Sequence, residues 1–355
     1  MAFIRITSPH AHAASTTAGV MQQVLLATAP GVLMLTYFFG WGTLFNLALA
    51  SACALGFEAA VLRLRGKPIG FYLRDYSALV TAVLLGIALP PYCPWWVVVT
   101  GLFFSIVVAK QLYGGLGYNP FNPAMVGYVV LLISFPLEMS QWALPAGMEG
   151  AQGLAHWTDP GAGLAQIFAG APAVDGYSGA TPLEALRNNQ GYTLAALTER
   201  EPILAEGGWA GAGWEWVNLA FLAGGAYLLY KKIFTWHGPL AMLGALGLMA
   251  ALFYDSGSSA SGGSPVFHWF SGAAMFGAFF ILTDPVSSAV SNRGRLIFGA
   301  LIGVLVYVIR VWGNYPDGVA FAVLLLNFAA PFIDYYTVPR TYGHTRAERA
   351  TRKRP

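Results

Sequence analysis

Apolar residues along this chain gather into ten runs of roughly 15–21 residues, each about the length of a helix that crosses a bilayer. They lie near 20–39, 43–62, 77–92, 94–110 and 123–137, then near 214–230, 239–254, 266–283, 296–313 and 318–336. Several are short for a straight span, so tilted, partial or broken helices are expected. Between the fifth and sixth runs, the interval 138–213 is too polar to sit in hydrocarbon. The pattern predicts an all-α polytopic membrane protein with about ten transmembrane helices.

Composition agrees: charged residues are 10% of the chain, against about 25% in soluble proteins, and apolar residues are 56%. The first apolar run starts near Val20 and is long enough to span, which argues against a cleavable leader. Basic residues set the orientation. With the N-terminus in the cytoplasm, 16 of the 19 lysines and arginines, Lys110 among them, fall on that side, leaving Arg187, Arg200 and Arg310 outward. The expected divisions are a cytoplasmic tail 1–19, a first membrane unit 20–137 and an extracytoplasmic segment 138–213, then a second membrane unit 214–336 and a basic cytoplasmic tail 337–355.

Five spans per half make the halves inverted if they are related. The stretch from Tyr76-Ser77 to Pro90-Pro91 runs parallel to that from Phe270-Ser271 to Asp284-Pro285, with 14 residues from serine to last proline in both. Likewise Gly117-Tyr-Asn-Pro120 matches Gly313-Asn-Tyr-Pro316, and these loops should fall at opposite faces. Glycines and two Asn-Pro pairs between Gly114 and Ala124 cannot continue a helix, so that backbone is either a tight turn or the lining of a cavity. Of the charges within spans, Glu58 and Arg310 are expected to snorkel to nearby interfaces. Asn46 and His268 are expected to hydrogen-bond between helices.

Chemistry concentrates at Asp175-Gly-Tyr-Ser178-Gly179-Ala180-Thr181, in the extracytoplasmic segment. Thr181-Pro-Leu-Glu184 is a capping box, with threonine at the N-cap and proline at the first helical position. The same letters resemble a flavin-attachment signature, and a helix start suits an anionic phosphate. Cys53 and Cys93 are too few for an iron–sulfur cluster, and no zinc pattern, Walker loop or dinucleotide fingerprint is present. No residue is singled out as catalytic or metal-binding, and no nucleic-acid partner is expected.

Taken together, the ten spans, the Gly-Tyr-Asn-Pro-Phe-Asn-Pro-Ala run and Ser-Gly-Ala-Thr resemble the family of D subunits of Rnf ion-translocating ferredoxin:NAD oxidoreductases. They are similar also to the B subunits of sodium-translocating NADH:quinone reductases. The resemblance implies two inverted five-helix repeats in a urea/ammonium-transporter-like arrangement, in the bacterial inner membrane. It implies FMN esterified to Thr181 through phosphate, with Asp175, Ser178, Gly179 and Ala180 completing the attachment motif. A separate flavin transferase would make that bond outside the cytoplasm.

A second, non-covalent flavin such as riboflavin is also implied. Asn119, Phe121 and Asn122 are its candidates from backbone irregularity alone. Implied partners are a second covalent flavoprotein subunit and iron–sulfur subunits. The implied function is electron relay coupled to cation translocation, within a complex and not catalytic alone. The rival reading is a urea/ammonium-type permease or channel whose Thr181 merely caps a helix, and a third is a passive scaffold for other redox subunits.

The orientation is checked with an Asp159→Cys chain lacking Cys53 and Cys93. An impermeant thiol reagent should label it only from outside intact cells; labelling from the cytoplasmic side alone would reverse the assignment.

Overall fold

The computed structural model describes residues 16–148, 160–169 and 178–337. Helices α1 (Thr17–Phe39) and α2 (Gly42–Leu64) lead into the short α3 (Ile69–Leu73), then α4 (Ser77–Ala88) and α5 (Trp95–Leu102), which continues as a π-helix over Phe103–Gln111. After α6 (Pro123–Ser134) and α7 (Pro136–Ser140), strand β1 (Trp142–Ala143) pairs antiparallel with β2 (Ser178–Gly179). Helices α8 (Pro160–Ala169), α9 (Pro182–Arg187), α10 (Leu194–Arg200) and α11 (Pro202–Ala205) complete the middle segment. The second half holds α12 (Trp214–Tyr230), α13 (His237–Leu252), α14 (Pro265–Phe270), α15 (Ala274–Phe276) with a π-helix over Gly277–Ile281, α16 (Asn292–Trp312) and α17 (Val319–Thr337).

Among the described residues, α1, α2, α16 and α17 are long and apolar enough to cross a membrane. Shorter apolar helices cover Ser77–Ala88, Trp95–Gln111, Pro123–Ser134 and His237–Leu252. This is a mostly helical, multi-pass membrane protein. Lipid tails give two helices no hydrophobic reason to associate, so close backbone contact has to come from small residues. The α13–α16 pair shows this: a Cβ at Gly299 or Gly303, one turn apart, would run into the carbonyls of Gly238 and Met242.

Two expected spans end differently. The run 77–92 is helical only to Ala88, because Leu89-Pro-Pro cannot extend it, and Tyr92 sits at φ 63. The run 266–283 is broken: Ser271 is extended and Gly272 lies at φ 57, splitting α14 from α15. Hydropathy is blind to this break, since serine and glycine interrupt the helix without interrupting the apolar run.

Glu58 and Arg310 do not snorkel; they are 2% and 3% exposed and paired inside the bundle. Lys110, assigned by its charge to the cytoplasmic face, is buried as well: its Nζ stands 2.7 and 2.9 Å from the Glu58 carboxylate oxygens and donates to Ser77 Oγ at 2.7 Å. Gln111 Nε2 donates to Glu58 Oε1 at 2.8 Å, the wide π-helical turn letting both neighbours reach one carboxylate. Such pairs form because a lone charge in this setting costs several kcal/mol. Asn46 does join distant segments, donating to Pro90 O at 2.9 Å. His268 instead bonds locally, its Nε2 lying 2.7 Å from Gly262 O just ahead of its own helix.

Removing one partner of the buried pair, by Glu58→Gln or Lys110→Met, should cost roughly 3–5 kcal/mol. The joint Glu58→Met, Lys110→Met change should cost clearly less than the two losses added. Thermal unfolding in detergent reads both, and strictly additive losses would show that the pair is not coupled.

Candidate functional site

The attachment motif is brought to the bundle by local chemistry. Pairing of Trp142 with Gly179 and of Ala143 with Ser178 lays the end of the motif across the loop after α7. Glycine is required there because a Cβ on Gly179 would strike Leu144. Ala146 N donates to Phe38 O at 2.7 Å, tying that loop to the end of α1. One residue beyond Ala180, Thr181 is the N-cap of α9: its Oγ accepts from Glu184 N at 3.3 Å, and its carbonyl accepts from Ala185 N at 2.9 Å. The threonine half of the expected capping box is formed; among the described hydrogen bonds, none runs from Thr181 N to the Glu184 carboxylate. Pro182, Leu183 and Ala185 are buried, while Thr181 is half-buried and is among the residues lining a cavity. Asp175 lies outside the described residues.

That cavity has a volume of about 520 Å³, within the range of roughly 300–1,000 Å³ typical of ligand sites. Its walls are mainly aromatic and aliphatic. Trp142 and Trp214 stand with ring centroids 4.9 Å apart, and Phe221, Phe276, Tyr128 and Tyr315 complete the aromatic lining. Thr181, Glu184, Arg187 and Asn188 of the α9 region face Asn314 to Asp317 across it.

The floor is the break between α14 and α15. Arg310 donates to His268 O at 2.8 Å and Ser271 O at 3.4 Å, and its guanidinium meets Asp317 Oδ1 at 3.2 Å. Asp317 Oδ2 accepts from Ala273 N at 2.7 Å. Asn218 Nδ2 donates to Phe270 O at 2.9 Å and Gly272 O at 3.0 Å, while its Oδ1 accepts from Met275 N at 3.2 Å. Six polar atoms around the break, the carbonyls of His268, Phe270, Ser271 and Gly272 and the N–H groups of Ala273 and Met275, thereby gain side-chain partners.

Asn119 and Asn122 belong to a second cavity, of about 150 Å³, lined also by Ser77, Lys110 and Asp284. The two cavities are stacked along α4: Ile87 and Ala88 face the larger one, Ser77 to Leu84 the smaller. Asn119 Nδ2 donates to Phe121 O at 3.0 Å, and Asn122 caps α6 by accepting from Met125 N at 3.3 Å. Phe121 contributes that carbonyl; its half-buried ring lines neither cavity. The sequence residues thus fall into two separate sites. Trp142, Trp214, Arg187 and Asn314 were missed, although Asn314 lies in the Gly313–Pro316 match to the Gly117–Pro120 loop.

The residues present suit a flavin mononucleotide at the larger cavity. A threonine oxygen for the ester stands at its rim, apolar walls can cover an aromatic ring system, and a few polar groups converge from two sides.

Fold and cavity together define a multi-pass helical membrane protein that offers a threonine hydroxyl to a large, mostly apolar chamber at one end of its bundle. The chain belongs to the NQR2, RnfD, RnfE family, which matches residues 4–343. It is similar to the D subunit of the ion-translocating oxidoreductase complex of Cellvibrio japonicus, 61% identical over 100% of this chain and 99% of that protein. The proteins of the same description from Ectopseudomonas mendocina and Vibrio vulnificus are 59% and 50% identical, with 97% of this chain covered in each and 97% and 100% of theirs.

At Gly272 an added Cβ would stand 2.5 Å from both Asp317 Oδ2 and Leu183 Cδ1, at a φ of 57. The left-handed backbone alone costs an alanine about 1–2 kcal/mol. Gly272→Ala should therefore lower the melting temperature in detergent more than Gly244→Ala, where a Cβ meets nothing within 4 Å. Equal melting would remove the floor's claim to be tightly set.

Proposed function

We propose that this chain is the membrane subunit of an Rnf-type ion-translocating oxidoreductase complex that carries FMN on Thr181 as a phosphothreonyl ester and relays electrons between partner subunits. Membership in such a complex rests on relatives 50–61% identical over nearly the whole chain that are described as its D subunit. The observation that carries the cofactor assignment is that Thr181 lines a cavity of about 520 Å³ whose walls suit a flavin. FMN, when bound, supplies one- and two-electron chemistry at a potential the protein tunes.

The chain's own residues hold and shelter that group. Thr181 Oγ provides the ester oxygen, and Trp142, Trp214 and Tyr315 exclude water from the chamber. The tether keeps the carrier at high effective concentration beside its donor. That donor is a second covalent flavoprotein subunit on the outer side, with iron–sulfur subunits elsewhere in the complex. A flavin transferase completes Thr181. In the architecture that goes with this reading, ten membrane segments form two inverted five-helix units, with residues 138–213 outside and both termini in the cytoplasm of a bacterial inner membrane. Cation translocation is coupled through movement of those units.

We place a second, non-covalent flavin such as riboflavin at the smaller cavity, which Lys110, Asn119 and Asn122 line. Its volume of about 150 Å³ is below the roughly 300 Å³ at which ligand pockets begin. Binding there requires the cavity to widen.

Covalent attachment is tested on the full chain made in cells that express the transferase, then denatured and washed. The protein band should fluoresce, its Thr181 peptide should carry the FMN mass, and Thr181→Ala should abolish both at normal expression. A colourless wild-type band would leave the permease reading in its place.

A further inference from the structure

The larger cavity contains three charged side chains, Glu184, Arg187 and Asp317. Asp317 is spent on the floor: it takes Arg310, Ala273 N and Val319 N. Glu184 sits one turn from Thr181, on the same side of α9. Arg187 is different. It closes α9, is half-buried, and among the described residues its hydrogen-bond partner is neutral: Nη2 donates to Asn314 Oδ1 at 3.0 Å. The described ion pairs are Lys110–Glu58 and Arg310–Asp317. A guanidinium carries five N–H donors and stays charged, so most of this one's capacity is uncommitted. Six residues of helix set it about 9 Å along the axis from Thr181. Both residues line the same cavity.

We propose that Arg187, oriented by Asn314, is the counter-charge for the reduced ring of the flavin tethered at Thr181 and so sets its reduction potential. The inference rests on the Thr181 assignment above and deepens it. A flavin ring that gains two electrons from its donor and one proton from water carries one more negative charge than before. A fixed cation in a chamber with apolar walls favours that reduced form, because charge near the ring is felt more strongly away from bulk water. Asn314 acts as a positioning residue. Exposed on the loop between α16 and α17, it holds Nη2 of the Arg187 guanidinium through its amide oxygen at 3.0 Å, and it too lines the cavity.

The test uses the full chain, flavinylated in cells and purified in detergent, with two readouts: the fluorescent band after denaturation, and the midpoint potential from spectroscopic titration with dithionite. Arg187→Gln should keep the band and shift the reduced-to-oxidised ratio at least tenfold toward the oxidised form, which is about 30 mV for a two-electron couple. Arg187→Lys should recover most of that shift, and Asn314→Ala should give part of it. The difference between wild type and Arg187→Gln should close as the pH falls far enough to protonate the reduced ring. Should Arg187→Gln fail to accumulate, the Lys and Asn314→Ala chains still carry the test: a displaced Asn314→Ala midpoint beside a near-normal Arg187→Lys supports the proposal, and wild-type midpoints in both overturn it. An intact band with an unmoved midpoint in Arg187→Gln overturns this role alone. Loss of the band in both Arg187 variants moves the residue to recognition by the transferase and also overturns it. No band in the wild-type chain overturns the Thr181 assignment, and this proposal with it.

Discussion

A helix broken inside a membrane bundle frees backbone N–H and C=O groups that no water can reach, and each left unpaired costs several kcal/mol. The break at Ser271-Gly272 frees such groups in the middle of the second half, and three side chains from elsewhere, two buried and one half-buried, take up several of them. Asn218 comes from α12, Arg310 from α16, and Asp317 from the loop before α17. Their convergence fixes the relative positions of those elements. It also builds the floor of the larger cavity, since Gly272, Ala273 and Asp317 all line it. Leu183, which would collide with any side chain at residue 272, seats α9 on the same spot. The height of Thr181 above the bundle therefore depends on how this break is satisfied.

The first half meets the same difficulty with different residues. Tyr76 sits at φ 61, and the new helix starts at Ser77, whose N–H and hydroxyl both donate to Asp75 Oδ1, at 2.7 and 2.6 Å. Lys110 then reaches Ser77 from the side, as Arg310 reaches Ser271, each anchored by a carboxylate, Glu58 or Asp317. A serine-led break, a buried cation and a carboxylate thus recur in both halves, beside opposite ends of α4. Removing two well-paired charges together costs little, whereas separating them costs much. Clusters of this kind select one packing of the halves more than they add to its stability.

Much of this was legible in the sequence, for identifiable reasons. Helices α1, α2, α16 and α17 fall within about four residues of the expected runs because their apolar residues are continuous and the ends carry turn chemistry, such as Gly40 after α1. The Thr181 cap was legible because capping is local, three residues wide. The Glu58–Lys110 and Arg187–Asn314 contacts were not. Their partners stand 52 and 127 positions apart, and nothing in either neighbourhood marks one as the other's mate. Charge alone could not show that Lys110 is buried, because a lysine paired in the interior has the same letter as one at the interface. The loops Gly313–Pro316 and Gly117–Pro120, matched in the sequence, each contribute residues to one cavity.

The capping role of Thr181 and the attachment proposed for it would compete for the same oxygen, and magnitudes decide whether both can stand. An N-cap hydroxyl is worth about 1 kcal/mol, and this one accepts at 3.3 Å, long for a strong bond. An ester on that oxygen would weaken it further as an acceptor. Burial of a side chain the size of Leu183 contributes about 1.5–3 kcal/mol, and Pro182 and Ala185 are buried beside it. Proline at the first helical position has no N–H to satisfy, and the bond from Ala185 N runs to the carbonyl of Thr181, not to its side chain. α9 is thus held in place by what it buries. The threonine oxygen has so small a structural duty that modifying it leaves its own scaffold standing.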